Sequence, residues 1–258
     1  MTRKSGLKKL IGELEALEAD VRYQELPTHP EDEVGYLKGS VPILISAPHG
    51  AKHTRFYEEK SERELKEEDE FTAGLARLVA QKSGAHVIWL RRQSTEDANA
   101  DRRCRYKTAL GEIIRQHAIR FVLDFHGMSA DREFGIAIGT ANGRSCASET
   151  QELVVECLAE SGFVKSPTRL SDCKLRRVVI NHKSYGANGR NTVTRYVRDM
   201  LKAEAVQFEF NAHLRIPQRR ADASGKQPFE SCNPALIETV VTAMTKVVLA
   251  LANSLQEG

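Results

Sequence analysis

The chain has 258 residues, of which 41% are hydrophobic and 28% charged, and it carries a net charge of +3. These values are typical of a folded globular protein with one large domain or two small ones, and they exclude a low-complexity chain. The positive charge is mild, and no Lys/Arg block is interleaved with aromatic residues. We therefore predict that nucleic acid is not a partner.

The N-terminal region, residues 1–40, is predicted to contain one amphipathic helix and a connector. Within residues 6–22 apolar side chains recur at helical spacing, at Leu7, Leu10, Ile11, Leu14, Leu17 and Val21. We expect this helix to lie across the main domain or to join the contact of a possible homodimer. Residues 26–40 contain two prolines and two glycines, which is typical of a connector.

Residues 41–258 are predicted to form a single α/β domain, in which strands alternate with helices. Apolar runs predict strands at residues 41–46, 85–90, 119–125, 134–139, 175–180 and 205–210. Amphipathic patterns predict helices at residues 69–82, 106–117, 149–161, 191–202 and 234–255. This alternation indicates an α/β sandwich around a mixed, largely parallel sheet.

The sequence shows neither an export signal nor a membrane span. The five cysteines are odd in number and lack CxxC spacing, which is typical of reduced thiols in a cytoplasmic protein. No apolar stretch approaches about 18 residues, so we predict no membrane-spanning segment. Acidic residues soon follow the Lys-rich N-terminus, so we predict no targeting peptide and a cytoplasmic location.

Two predicted strands end in the same dipeptide, His-Gly. The run "VPILISAPHG" ends with His49 and Gly50, and "IRFVLDFHG" ends with His126 and Gly127. Ligands of such sheets sit beyond the carboxyl ends of the strands, where Asp124 and Glu209 also lie. The glycines would let the backbone turn close to a ligand. We therefore group these four side chains into one candidate site.

A zinc hydrolase commonly holds its metal with two histidines and one carboxylate, and it leaves a position open for water. His49 and His126 would supply the nitrogens. Among the acids at residues 67–70, Asp69 is the preferred third ligand and Glu68 the second choice. Asp124 is either a partner that orients His126 or a turn cap. Of the remaining histidines, His53 is the one most suited to join the site.

Each of these residues also has a purely structural interpretation. Asp69 precedes a predicted helix, where an acid caps the helix or interacts favourably with the helix dipole. A histidine at a strand end is often only hydrogen-bonded or exposed. Glu209 alternates with apolar neighbours, so it could simply point to solvent from one face of a strand. The residues alone leave these alternatives open.

Six segments, in this order, resemble the N-formylglutamate amidohydrolase family between residues 41 and 216. They are "SAPHG", "EDEFTAGLARLVA", "EDANADRRCRYKTAL", "VLDFHG", "GRNTVTRYV" and "AVQFEFNAHLR". The resemblance implies a three-layer α/β/α sandwich with a zinc carboxypeptidase-like plan. It also implies a zinc enzyme that hydrolyses the amide of a small N-acylated amino acid such as N-formylglutamate.

The resemblance assigns roles to particular residues. It implies that His49, Asp69 and His126 hold zinc or another divalent metal, and that Glu209 is the general base. A substrate carboxylate and an oxyanion also need donors, for which the planar guanidinium of arginine is suited. The expected substrate-binding residues are Asn99, Arg102, Arg103, Arg190 and Arg195.

The sequence departs from the family pattern next to both histidines. The family often has Pro-His-Ser-Gly where this chain has Pro-His-Gly-Ala, and its second histidine motif often ends in serine where this chain has Gly127. These changes spare the expected metal ligands and leave the substrate open. The alternatives are a deacylase or small peptidase of other specificity, and a binding protein that has lost catalysis.

Overall fold

A computed structural model of the chain describes residues 3–165, 173–225, 229 and 233–256. Within these residues, seven strands form one sheet and two more form a separate hairpin. The strands are β1 Val34–Leu37, β2 Ile43–Ala47, β3 His53–Tyr57, β4 Glu62–Lys66, β5 His86–Leu90, β6 Phe121–Met128, β7 Ile136–Gly139, β8 Val178–Ile180 and β9 Glu204–Asn211. The α-helices are α1 Arg3–Glu18, α2 Thr72–Ser83, α3 Arg105–Gln116, α4 Ser148–Glu160, α5 Cys173–Arg176, α6 Val193–Tyr196 and α7 Pro234–Ser254.

The large sheet is mixed and largely parallel, as predicted. Its strand order is β1-β5-β2-β6-β9-β7-β8. The four strands β5, β2, β6 and β9 run parallel to one another. Strands β1 and β7 run antiparallel to their central neighbours. Every residue of β2 and β5 is buried, which is expected of parallel strands covered on both faces.

Helices cover both faces of this sheet. Helix α2 contacts α1 and α7, and both α2 and α7 contact strand β2. From the other face of β2, the Ser46 hydroxyl lies 2.9 Å from the Tyr106 hydroxyl of α3. Because side chains alternate along a strand, Ile45 and Ala47 face the opposite helical layer. The structure therefore confirms the three-layer α/β/α sandwich.

Two strand elements lie where the sequence predicted none. Strand β1 forms part of the predicted connector, and its Gly35 lies directly under an indole, where a Cβ would come within 2.3 Å of Trp89. The hairpin of β3 and β4 follows the first histidine motif, and its strands are polar and mostly half-buried or exposed. Neither segment has the long apolar run from which the other strands were predicted.

Two predicted elements are shorter than expected. The strand predicted at residues 175–180 begins as the short helix α5 and pairs with the sheet only at β8. The helix predicted at residues 191–202 is four residues of α6 followed by a π-helical turn, Val197–Leu201. Lys202 ends that turn in the left-handed conformation.

Helix α7 is 21 residues long and apolar enough by composition to cross a membrane. The prediction that no apolar stretch approaches about 18 residues is therefore wrong. However, 56% of the most apolar window of this helix is buried inside the protein. The helix packs against α2 and α4, and a core helix meets the same criteria of length and composition.

A buried carboxylate fixes helix α1 to helix α2. Glu18 is fully buried and accepts hydrogen bonds from the Tyr23 hydroxyl at 2.6 Å and from the backbone N–H groups of Phe71 and Gly74 at 3.1 and 2.5 Å. A Cβ at Gly74 would lie 2.8 Å from the carboxylate, so only glycine permits this approach. Burial raises the pKa of Glu18 to about 7, although these donors oppose the rise. Helix α1 thus lies across the main layer, and the division at residue 40 stays a prediction.

We predict that Glu18→Ala lowers the free energy of unfolding by about 3 kcal/mol, because it removes the carboxylate to which three buried donors are hydrogen-bonded. Chemical denaturation followed by circular dichroism measures this change. The matched control is Glu15→Ala on the exposed face of the same helix, which should change stability by less than about 0.5 kcal/mol. Equal effects of the two substitutions would contradict this account of how α1 is held.

Candidate metal centre

Three adjacent parallel strands bring the candidate residues to one edge of the sheet. His126 lies near the carboxyl end of β6, and its register partner in β9 is Glu209. His49 follows β2, the other neighbour of β6, by two residues. The backbone N–H of Asp69 donates to the His49 carbonyl at 2.8 Å, which holds the segment before α2 beside β2. Residues far apart in sequence therefore meet here.

His49, Asp69 and His126 form a compact cluster. Oδ2 of Asp69 lies 3.3 Å from Nδ1 of His126 and 3.6 Å from Nδ1 of His49. Ligands of a tetrahedral zinc ion, each about 2.0–2.1 Å from the metal, lie about 3.3 Å from one another. The two distances are close to this value, and two imidazoles with one carboxylate are a donor set that zinc prefers. The residues present therefore fit a divalent metal.

The choice between the two candidate acids has a geometric answer. Glu68 faces away from the imidazoles and accepts hydrogen bonds from the backbone and hydroxyl of Ser224, at 2.7 and 2.5 Å. Asp69 faces both imidazoles. Burial acts to raise the pKa of Asp69, but the imidazoles of His126 and His49 outweigh burial and hold this pKa well below its usual range. The carboxylate is thus ionised and suited to hold a cation.

A second carboxylate stands behind each imidazole. Nε2 of His126 lies 3.0 Å from Oδ2 of Asp124, and Nε2 of His49 lies 3.1 Å from Oδ1 of Asp97. Such carboxylates fix the orientation and tautomer of metal-binding histidines, leaving the other nitrogen free for the metal. The predicted orienting role fits the position of Asp124. Asp97 was missed, because a polar loop gives no sign of its tertiary contacts.

His49, His53 and Asp97 form a second possible cluster. The ring of His53 stacks on that of His49 with centroids 3.9 Å apart, and among the described residues neither of its nitrogens has a hydrogen-bond partner. Burial lowers the pKa of His53 to about 3, so its ring is neutral. The guanidinium Nε of Arg55, however, donates to Asp97 at 2.5 Å. A cation already neutralises that carboxylate, so the cluster with Asp69 fits a metal better.

Glu209 shares a cavity of about 480 Å³ with the cluster. It lies on the same face of β9 as Gln207, and these two side chains are only 8% and 4% exposed. The amide of Gln207 donates to Oε1 of Glu209 at 3.0 Å. Burial, opposed by His126, raises the pKa of Glu209 well above its usual range. The solvent-facing interpretation of Glu209 is therefore wrong.

The predicted substrate-binding residues divide between two cavities. Asn99 lines the cavity of Glu209, and its Nδ2 lies 3.2 Å from Nε2 of His126. The four predicted arginines instead line a neighbouring cavity, at Arg102, Arg103, Arg190 and Arg195. For Arg102 and Arg103 the reason is a tight backbone turn, in which the Asp97 carbonyl accepts hydrogen bonds from residues 100 and 101. Proximity to Asn99 in sequence was therefore a poor guide for these two arginines. Among the described residues, Arg55 and Lys183 are the Arg and Lys side chains that line the first cavity.

The sequence also gave no sign of Arg215, which joins three backbone segments of the site. Its buried guanidinium donates to the backbone carbonyls of Glu70, Met128 at 3.3 Å and Phe210 at 3.2 Å. These carbonyls are one or two residues from Asp69, His126 and Glu209. A Cβ at Gly127 would lie 2.6 Å from this guanidinium, so the contact with Arg215 explains the glycine after His126.

The fold has a counterpart among solved structures. It is similar to N-formylglutamate amidohydrolase from Ralstonia eutropha JMP134, with a TM-score of 0.57 and 13% identity over 88% of this chain and 99% of that protein. The likeness shows a shared fold, and it confirms at that level the resemblance read from the six motifs. No family model matches the chain, and no curated protein matches it in sequence.

Two further hydrolases are similar at a lower level. A metallo-carboxypeptidase from Pseudomonas aeruginosa has a TM-score of 0.47 and 12% identity over 98% of this chain and 69% of that protein. A bacteriophage poly-gamma-glutamate hydrolase has a TM-score of 0.43 and 11% identity over 91% of this chain and 94% of that protein.

We predict that His126→Ala weakens zinc binding by more than about 100-fold. Removing a residue that only hydrogen-bonds to a metal ligand already costs about 10- to 100-fold in affinity, and removing the ligand itself costs more. Competition with a chelator of known affinity measures the change. His29→Ala, at an exposed position, is the control and should leave zinc affinity unaltered. Unchanged affinity in the His126 variant would show that the ligand assignment is wrong.

We predict that Asp97→Asn weakens zinc binding by about tenfold, because the neutral amide holds the His49 ring less firmly than a carboxylate. The same competition assay measures this effect, with circular dichroism to check the fold. Asp131→Asn, at an exposed loop position, is the matched control. A loss as large as that of His126→Ala would instead assign Asp97 as a direct ligand.

Proposed function

We propose that the protein is a metal-dependent amidohydrolase that cleaves the N-acyl amide of a small N-acylated amino acid, with N-formylglutamate as the first candidate. One observation carries this proposal: a two-histidine, one-carboxylate cluster shares its cavity with the buried acid Glu209. The likeness in fold to an N-formylglutamate amidohydrolase supports the choice of substrate to test first.

His49, Asp69 and His126 would hold the metal, with zinc as the first candidate because of its preference for nitrogen and carboxylate ligands. When bound, such an ion polarises an amide carbonyl and lowers the pKa of a coordinated water to roughly 7. Asp97 and Asp124 keep the two imidazoles oriented. Arg215 joins the backbone segments that carry Asp69, His126 and Glu209. These residues fix the site before a substrate arrives.

Glu209 would act as the general base and then as the general acid. It would take a proton from the attacking water and give it to the nitrogen of the departing amino acid. Its raised pKa suits both steps, because a carboxyl that ionises only near neutral pH gains and loses a proton readily. Gln207 fixes one carboxylate oxygen and leaves the other for the reaction.

The cavity is suited to a small anionic substrate. A volume of about 480 Å³ lies within the usual range for small-molecule sites. Arg55 and Lys183 line it and could bind a substrate carboxylate, while Asn99 could contact the acyl group. We propose this small molecule as the partner and the cytoplasm as the location.

We predict that Glu209→Gln lowers kcat by about 100- to 10,000-fold and leaves zinc content unchanged, because the residue moves protons and does not hold the metal. Steady-state hydrolysis of N-formylglutamate measures this loss. Glu204→Gln, at the opposite end of the same strand, is the matched control. A Glu209→Gln variant whose kcat is within a few-fold of that of the original enzyme would contradict the general-base assignment.

A substrate panel separates the alternatives. N-formylglutamine, N-acetylglutamate and the dipeptide glycylglutamate each differ from N-formylglutamate in one group. Preference for N-formylglutamate supports the proposal, and preference for an acetylated or dipeptide substrate indicates another deacylase or a peptidase. A folded protein that binds no metal and hydrolyses none of them would instead be a binding protein.

A further inference from the structure

A second cavity beside the metal centre is strongly basic. Its volume is about 660 Å³, and it lies between helix α3 and the segment of residues 190–200. Among the residues that the structure describes, six basic side chains and one acid, Asp199, line it. The basic residues are Arg102, Arg103, Lys107, Arg115, Arg190 and Arg195. The lining side chains carry six positive charges and one negative charge, a net charge of +5. This value exceeds the net charge of +3 on the whole chain, so the positive charge is concentrated here.

Most of these guanidinium groups have no counter-charge. Arg195 pairs with Asp199 at 2.7 Å. Within the described part of the chain, no ion pair joins Arg102, Arg103 or Arg190 to a carboxylate. An anion with several negative charges would offset the repulsion among these side chains and accept hydrogen bonds from the paired N–H donors of each guanidinium.

The two loops that form the walls of the cavity are joined to each other before a ligand binds, although the side chains of Arg102, Arg103 and Arg190 are exposed. The ammonium of Lys107 is buried and donates to the carbonyls of Asp101 at 2.6 Å and Asn191 at 2.5 Å. The side chain of Asn191 donates to the Ala100 carbonyl at 2.8 Å. These bonds join the loop that carries Arg102 to the loop that carries Arg190. Preorganised walls lower the cost of ordering a site when it binds.

The same two loops separate this cavity from the metal centre. Asn99 and Thr192 line the first cavity, whereas their near neighbours Arg102 and Arg190 line the second. Oδ1 of Asn99 accepts a hydrogen bond from the Val193 N–H at 2.8 Å, which closes the wall between them. The basic cavity is therefore a site of its own and not the floor of the first.

We infer that this basic cavity is a second binding site, for a small molecule that carries two or more phosphate or carboxylate groups. Both groups match the planar fork of arginine, and the volume suits a small ligand. Binding at this second cavity does not depend on the hydrolysis proposed for the metal centre. It also gives the four arginines, which the sequence placed at the first site, a role that fits their positions.

Isothermal titration calorimetry of the metal-loaded protein tests this inference, with inorganic pyrophosphate, glutarate and acetate as probes at constant ionic strength. We expect saturable binding of pyrophosphate, glutarate or both, and none of acetate, which carries a single charge. Tighter binding of pyrophosphate assigns a phosphorylated ligand, and tighter binding of glutarate assigns a dicarboxylate. Metal content is measured before and after each titration, because a probe that removes the bound metal would also release or absorb heat.

The double variant Arg102→Ser with Arg190→Ser should weaken that binding by about tenfold or more, because charge-assisted hydrogen bonds are lost. The matched control is Arg120→Ser, an exposed arginine at the amino end of β6, which should bind as the original protein does. Thermal unfolding without ligand checks that both variants fold. Absence of binding by the original protein, or equal binding by the double variant, would overturn the inference.

Discussion

The parallel pairing of β2, β6 and β9 is the constraint on which the rest of the site depends. It sets His126 opposite Glu209 and brings His49 to the same edge of the sheet. A shift of the register by one residue would turn these side chains to the other face, so the pairing of these largely buried strands specifies the site as well as the core. Arg215 reinforces this arrangement from the side by joining three backbone segments.

The site needs several charges inside a protein interior, which is costly unless each charge is compensated. Each imidazole lies between two carboxylates, and Asp97 is balanced in turn by Arg55. Glu209 is the exception, because it has a neutral amide as its hydrogen-bond partner. The ligands are thereby kept ready for a cation, while the one uncompensated carboxyl keeps a raised pKa and can exchange a proton.

The sequence predicted the elements whose signal is local. Strands β2 and β6 were predicted from apolar runs that lead into His-Gly, and the convergence of His49 with His126 was predicted from the same pattern. Features that depend on tertiary contacts could not be predicted from the sequence. Asp97 lies in a polar loop, and Arg215 lies after β9 in a segment without a periodic pattern. The polar hairpin of β3 and β4 lacks an apolar run. The arginines near Asn99 were misplaced because one backbone turn separates neighbours in sequence.

The central claim is that His49, Asp69 and His126 bind one divalent ion together. Anomalous diffraction from zinc-soaked crystals, collected above and below the zinc edge, tests it most directly. We predict one strong anomalous peak between the Nδ1 atoms of the two histidines and the Asp69 carboxylate. A peak beside His53 and Asp97 instead, or no peak near either cluster at saturating zinc, would contradict the account.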